Sequence, residues 1–401
     1  MMSEFFEKLM EHIDIEEGLA GIRDILLTIY RTGTVSIKNI SRTTKIPIPI
    51  VSKVVNILVK QDFLTRNEKG VQFWDRSMQF IEKFFGFYGY GIEKCPVCKG
   101  RPIAISPRMD ILFKYLNPIF ERRPQVNTVY DQSKGTVETS IQRTLYFYET
   151  GAIEGKEVLF IGDDDFTSVA LSLLYLIFFP EEPKLIPKSI TVIDIDERIL
   201  KEIKTVFSNH NLEVRCINYN LKDPVPKELL HKFDTIITDP PYSLPGLTLF
   251  LSRAISMLNR NKKLDLGQNI FLSYAHRSSE TTLKIQKALI EMGLAVMEIT
   301  PSFNKYEGSE ILGNITQLFH LKTTSKTSPS ISASQQFVEK FYTGETHPYI
   351  RKYQCKLCQH VITVGPDKEF ETIELLKGNK CPKCGKSKTF TLIEKNLESI
   401  D

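Results

Sequence analysis

Three acidic clusters and one aromatic motif carry the chemistry that can be read from this sequence. Gly162-Asp163-Asp164-Asp165 follows the apolar run 157–161, Asp194-Ile195-Asp196-Glu197 closes the run 189–194, and Asp239-Pro240-Pro241-Tyr242 follows the run 233–238. Each run has the length and β-branched content of a buried strand, so each acid cluster falls at a strand's carboxyl end, where open α/β sheets bind their ligands. Carboxylates gathered at such a point can hold cations, take a proton from an amine or accept from ribose hydroxyls. Pro240 and Pro241 fix the backbone and present Asp239 and Tyr242 toward one point, where the ring can face a centre that gains positive charge. The bland alternatives are a rigid turn at 239–242 and helix caps at Asp163, Asp164, Asp194 or Asp196.

The elements that must position these groups alternate strand and helix from about 156 to 321. Strands are expected at 157–161, 189–194, 213–217, 233–238, 269–273, 295–299 and 316–321, and helices at 167–179, 197–209, 247–258 and 281–292. This alternation predicts an α/β fold with a parallel sheet covered by helices on both faces. In it, Asp194 is the expected acceptor of a ribose hydroxyl. Asn220 is a candidate adenine contact or, with equal weight, a simple turn residue. The segment 127–151 reads as a loop and then a helix leading into this domain.

Outside the central region the pattern changes. Residues 13–74 carry apolar positions at helical spacing three times over, with Pro47 and Pro49 opening the third helix and Glu68-Lys69-Gly70 marking a turn between two short strands. Three helices and a hairpin predict a winged-helix domain over 1–90. Its third helix offers only Lys53 and Lys60 as cations, so nucleic acid is a permitted partner but not a required one. Residues 91–150 form a connecting segment with a lone Cys95-x-x-Cys98, whose metal binding stays open. Residues 322–348 read as a Thr/Ser-rich linker. In 349–401, Cys355-x-x-Cys358 and Cys381-x-x-Cys384 form two knuckles with the thiolates for a closed tetrahedral zinc site, a zinc-ribbon-like module.

Composition removes several classes. The 401 residues hold 52 Lys+Arg against 48 Asp+Glu, too small a surplus to argue for a nucleic-acid carrier on charge. The longest apolar run, 169–179, is too short for a bilayer, and the acidic, helical opening stretch does not read as a signal peptide. Six of seven cysteines lie in C-x-x-C pairs, which suits metal binding in a reducing compartment. The expectation is a cytoplasmic protein with no membrane partner.

Asp239-Pro240-Pro241-Tyr242 matches the catalytic motif of amino-methyltransferases that act on adenine or cytosine, so 156–321 resembles class I adenosylmethionine-dependent enzymes, with their Rossmann-like sheet. The first loop departs from that pattern. Those enzymes place a glycine-rich loop near the donor's carboxylate, whereas here three acids would repel it by an amount on the order of several kcal/mol. Three acids suit cations without a carboxylate, such as decarboxylated S-adenosylmethionine and a polyamine. With Gly162–Asp165 and Pro240–Tyr242 together, the chain resembles the branched-chain polyamine synthases, the N4-bis(aminopropyl)spermidine synthases of thermophiles, over about 15–320. The four-cysteine module departs from that family's core pattern. A more distant likeness to the linear spermidine synthases sets Asp165 in the place of the Asp that holds the donor's amine and Asp239 in that of the Asp that takes the attacking amine's proton.

The resemblance implies aminopropyl transfer from decarboxylated S-adenosylmethionine to N4 of spermidine, with methylthioadenosine leaving. It implies Asp165, Asp239 and Tyr242 as catalytic residues, with the choice of base between the two acids left open. Gly162, Asp163, Asp194 and Asn220 are the expected donor contacts, and Asp164, Pro240 and Pro241 the expected acceptor contacts. Asp163 and Asp164 would anchor amines unless they cap the following helix. Single and double addition are both open, and a homodimer through the N-terminal domain is expected. The rivals are methylation of DNA or RNA bases, and a transcription regulator built on a decayed enzyme domain.

Overall fold

The computed structural model describes residues 13, 15, 17–87, 103–180, 187–259, 267–307, 315–343, 349–365, 368–370, 375–376, 379–386 and 390–397. Cys95 and Cys98 lie outside these residues. The chain divides into two compact units, one made of 1–126, 133–240 and 248–337, the other of 127–132, 241–247 and 338–401.

The first unit begins with α1 (Gly18–Thr32), α2 (Ile37–Thr44) and α3 (Ile48–Lys60). Ile22, Ile25, Leu26 and Ile29 of α1 meet Val51, Val54, Val55 and Leu58 of α3 in one core. Ser36 caps α2 by accepting the Asn39 N–H at 3.2 Å. The hairpin β1 (Leu64–Asn67) and β2 (Gly70–Phe73) follows, then α4 (Asp75–Phe85), which the sequence reading did not anticipate.

Helices α5 (Asp110–Glu121) and α6 (Val137–Glu149) lead into the sheet. The sheet is built from β3 (Glu157–Ile161), β4 (Ser189–Asp194), β5 (Arg215–Asn218), β6 (Thr235–Thr238), β7 (Asn269–Ala275), β8 (Leu294–Lys305) and β9 (Ile315–Thr323), in the order β5-β4-β3-β6-β7-β9-β8. Helices α7 (Thr167–Phe178), α8 (Glu197–Asn209), α9 (Leu244–Met257) and α10 (Ser279–Glu291) connect its strands. All four residues of β6 are buried, and so is every residue of α7 from Thr167 to Tyr175. This is why neither segment shows the one-sided apolar pattern of a half-exposed element.

The expected parallel sheet is parallel only across β5, β4, β3, β6 and β7; β9 runs antiparallel to both β7 and β8. The reason is chain length. The segment between Lys305 and Ile315 is shorter than the dozen or more residues a parallel crossover requires, whereas an antiparallel return needs only a turn. The stretch read as a linker from 322 starts inside β9, and its later backbone is held by the buried Arg253, which donates to the carbonyls of Ser332 (2.8 Å) and Gln335 (2.7 Å).

The second unit contains the antiparallel sheet β11-β10-β12, made of β10 (Tyr349–Cys355), β11 (Val361–Val364) and β12 (Phe390–Leu397). Cys355, Cys381, Ile362, Val364 and Leu376 form its small core. No helix among the described residues is long and apolar enough to cross a membrane.

Candidate active site

The topology brings the ends of β3, β4 and β6 side by side, because β3 pairs with both of the others in parallel. The acid loop, Asp194 and Asp239 therefore share one rim of the sheet. Asp163 and Asp165 are each 2 % exposed, and Asp194 is 9 % exposed.

The three loop acids point to different partners. Asp163 turns onto α7, where Oδ1 accepts the Thr167 N–H at 2.8 Å and Oδ2 accepts the Ser168 hydroxyl at 2.5 Å. Burial pushes its carboxyl up to about 8, against the pull of the Ser168 hydroxyl. Asp164 Oδ2 accepts the Ser133 N–H at 2.9 Å. Burial, then the charges of Asp165, Asp194 and Asp239, hold Asp164 well above the usual carboxylate range. Asp165 Oδ1 takes the Gly135 N–H, and its Oδ2 takes Arg143 Nη1 at 2.5 Å. Gly135 is required there by close approach: a Cβ would stand 2.6 Å from Asp165 Oδ1. The loop ends at Phe166, fully buried with φ +53°, a conformation that costs a bulky side chain about 1–3 kcal/mol and persists only where the surroundings impose it.

Asp194 Oδ1 accepts the Asp196 N–H at 2.8 Å and Oδ2 accepts the Asp163 N–H at 3.3 Å, so its carboxylate ties β4's end to the acid loop. Burial raises it to about 6. Asp196 caps α8 and pairs with Arg198 at 2.6 Å. Asn220 Oδ1 accepts the Lys222 N–H at 3.0 Å, the turn geometry that the sequence allowed for it. The Gly162 N–H bonds to the Ile193 carbonyl, continuing the β3–β4 pairing by one residue.

Asp239 Oδ2 accepts Arg143 Nη2 at 3.1 Å and the Tyr306 hydroxyl at 2.5 Å. Its side chain is 16 % exposed, against 3 % for Asp165. Burial raises Asp239 to about 6; Arg143 opposes this, Asp165 adds to it, and the Tyr306 hydrogen bond opposes it again. Pro240 and Pro241 are buried, and Tyr242 is half-buried.

Sequence reasoning missed Arg143 and Tyr306. Arg143 lies on α6, where Thr139, Ser140, Gln142, Arg143 and Thr144 are all buried. Burial works against its charge, but Tyr306, Asp165 and Asp239 outweigh that and hold its pKa well above the usual arginine value. A helix with polar residues on every face, directly before an acid-lined sheet, was the available signal for Arg143. Tyr306 lies just past β8 and had no local signal.

In the second unit the sulfurs of Cys355, Cys358, Cys381 and Cys384 all lie within 4.8 Å of one another. Cys355 stands 3.7 Å from Cys384, and Cys358 stands 3.7 Å from Cys381. That is far beyond a disulfide bond, and close to the spacing of about 3.8 Å between sulfurs held tetrahedrally about 2.3 Å from a metal. The knuckles match: Cys355 and Cys381 each accept at the carbonyl from the residue four positions on, Gln359 (φ +59°) and Gly385 (φ +68°). The four sulfurs can hold a metal ion.

Residues 110–361 match the family model for the branched-chain polyamine synthase A C-terminal domain. An uncharacterized protein of Methanocaldococcus jannaschii is 36 % identical over 95 % of this chain and 90 % of its own. The N(4)-bis(aminopropyl)spermidine synthase of Thermococcus kodakarensis is 31 % identical over 76 % of this chain and 83 % of its own. The crystal structure of the branched-chain polyamine synthase from Thermus thermophilus, in complex with N4-aminopropylspermidine and 5'-methylthioadenosine, superposes with a TM-score of 0.65 at 20 % identity, covering 84 % of this chain and 95 % of that one.

Proposed function

The chain belongs to the branched-chain polyamine synthase family, and from that premise we propose that it moves aminopropyl groups from decarboxylated S-adenosylmethionine to N4 of spermidine, yielding branched polyamines and methylthioadenosine. The observation that carries this reading is the convergence of Asp164, Asp165, Asp194 and Asp239 on one rim of the sheet. Such a site attracts a sulfonium and several ammonium groups, and it repels a carboxylate-bearing donor.

N4 attacks the aminopropyl carbon next to the sulfonium. A C–N bond forms, the C–S bond breaks, and its electron pair leaves with methylthioadenosine. The proton on N4 passes to Asp239, the more exposed of the two candidate bases. Asp165, with both oxygens occupied by Gly135 and Arg143, acts on the donor's amine through the field of its charge. Tyr242, on the same short loop as Asp239, offers its ring to the positive centre. Asp164 faces an acceptor ammonium, whose positive charge would favour the ionised form of its raised carboxyl. Asp194 takes the ribose hydroxyls, and Asp163 holds the loop in place for the donor. In a second transfer no proton remains on N4, and the carboxylates act by electrostatic stabilisation alone.

The three helices and hairpin of 18–73 support a winged-helix reading of the N-terminal segment, and the S4 donor set with its 3.7 Å sulfur spacings supports zinc as a structural ion. Zinc would tie the two knuckles together and take no part in the transfer.

The test is mass spectrometry of products from spermidine with each donor in turn. Gain of one or two aminopropyl units with decarboxylated S-adenosylmethionine alone is expected. Methyl transfer from S-adenosylmethionine to added DNA or RNA, without any polyamine product, would overturn the reading in favour of a base methyltransferase.

A further inference from the structure

We propose that Arg143 is a positioning residue of the transfer reaction: its buried guanidinium cross-braces Asp165 and Asp239 and, together with Tyr306, keeps Asp239 a carboxylate of fixed orientation. The proposal rests on the aminopropyl-transfer reading for what Asp239 does, but the bracing itself rests on geometry.

A buried cation is unexpected in a site for polycations, and its contacts say why it is there. Nη1 meets Asp165 Oδ2 at 2.5 Å and Thr167 Oγ1 at 3.4 Å. Nη2 meets Asp239 Oδ2 at 3.1 Å and Tyr306 Oη at 2.9 Å. Nε donates to Asn304 Oδ1 at 2.8 Å, and Asn304 is itself held through Nδ2 to Thr316 Oγ1 at 2.9 Å. All three nitrogens are therefore engaged, and the plane of the fork is fixed from β8. A lysine could supply the charge but not this geometry.

The chemistry needs such a brace. Asp239 is faced by Arg143, Asp165 and Tyr306, with Asp164 also within electrostatic range. Without the guanidinium, Asp239 would stand buried among like charges with no cation to offset them, and would hold its proton more tightly. A protonated Asp239 cannot take the proton of an attacking amine. One arginine shared by two carboxylates leaves the pair net negative, so the site still attracts a cationic substrate. Tyr306, donating to the same Asp239 oxygen, adds a second bond that favours the ionised form.

The test follows kcat and KM for spermidine from about pH 5 to about pH 9 in the full chain and in Arg143→Gln, Arg143→Lys and Tyr306→Phe, with folding checked by circular dichroism. In Arg143→Gln the acid limb of kcat should move up by about one pH unit or more, with about a tenfold loss at neutral pH that recovers at high pH. KM should change by less than about threefold, since uniform binding is not what the brace supplies. Arg143→Lys should lie between, and Tyr306→Phe should shift the limb in the same direction by less. A uniform loss that leaves the limb in place, or unchanged activity, would overturn the proposal. If Arg143→Gln does not fold, Tyr306→Phe decides on the same criterion. If the wild type makes no aminopropylated polyamine, the parent reading has failed. The brace is then judged by titrating the Asp239 carboxyl carbon by NMR in the ligand-free wild type and Tyr306→Phe: a midpoint higher in the variant supports it, and coincident titrations overturn it.

Discussion

Ser168 Oγ stands 2.5 Å from Asp163 Oδ2, so the first acid of the loop faces into helix α7 and not along the rim of the sheet. With the Thr167 and Ser168 N–H groups bound to the same carboxylate, Asp163 caps the helix from the loop that precedes it. Asp163→Ala should cost about 1–2 kcal/mol of stability, the usual loss for removing a cap. A lowered midpoint in urea with turnover retained within about tenfold is the expected result.

Asp165 and Asp239 behave differently. Asp165→Asn and Asp239→Asn should each lower kcat by about a hundredfold or more while the fold survives, because each removes a charge and leaves the shape. Product formation by mass spectrometry checks this, and wild-type rates from both variants would remove the assignment.

Gly135 tests the approach to Asp165 from the backbone. An alanine Cβ would stand 2.6 Å from Oδ1, and the neighbour it presses on is a carboxylate already bound to Arg143. Gly135→Ala should displace that carboxylate and lower kcat by about tenfold or more. Gly151→Ala serves as a control, since a Cβ there meets nothing within 4 Å, although its φ of +64° carries a backbone cost.

The pH dependence of stability has a definite sign. Burial raises Asp194 and Asp239 to about 6 and Asp163 to about 8, so the folded form binds protons more tightly than the unfolded chain. The stability these groups contribute is fully present below their unfolded values near 4 and is lost as pH rises through about 6 and then about 8. The unliganded protein should therefore melt at a lower temperature at pH 8 than at pH 5. Spermidine should recover more of that loss at the higher pH, and Asp239→Asn should flatten the slope near pH 6. Differential scanning fluorimetry across pH reads all three.

The four-cysteine cluster should hold about one zinc ion per chain. Metal analysis of the purified protein checks this. Cys355→Ser with Cys381→Ser should abolish binding and expose the β10–β12 sheet to protease, because those two cysteines belong to its small core.

Much of the site lies where local sequence could announce it. The boundaries of β3 and β4 coincide with the apolar runs 157–161 and 189–194, because a strand buried on both faces writes its burial directly into consecutive residues. Asp165, Asp194 and Asp239 follow such runs, and strand ends in this topology converge. The cysteine knuckles were legible for a similar reason: their spacing is set by ligand geometry within a few residues.

What the chain could not announce locally is pairing over distance. Asp163 as cap and Asp165 as partner of a buried arginine are adjacent acids in one loop, and only the direction of each side chain separates them. Arg143 reaches Asp239 and Tyr306 across 96 and 163 residues of sequence, and its role exists only because α6, the acid loop, β6 and the segment after β8 meet. The antiparallel β9 and the held segment around Ser332 likewise follow from which neighbours complete their backbone hydrogen bonds. Sequence by itself determined which apolar runs become buried strands and which chemistry stands at their ends, since strand patterning and motif spacing are local. Tertiary structure alone decided which carboxylate is braced and which caps a helix, since a charge in a low-dielectric interior is defined by the partners around it.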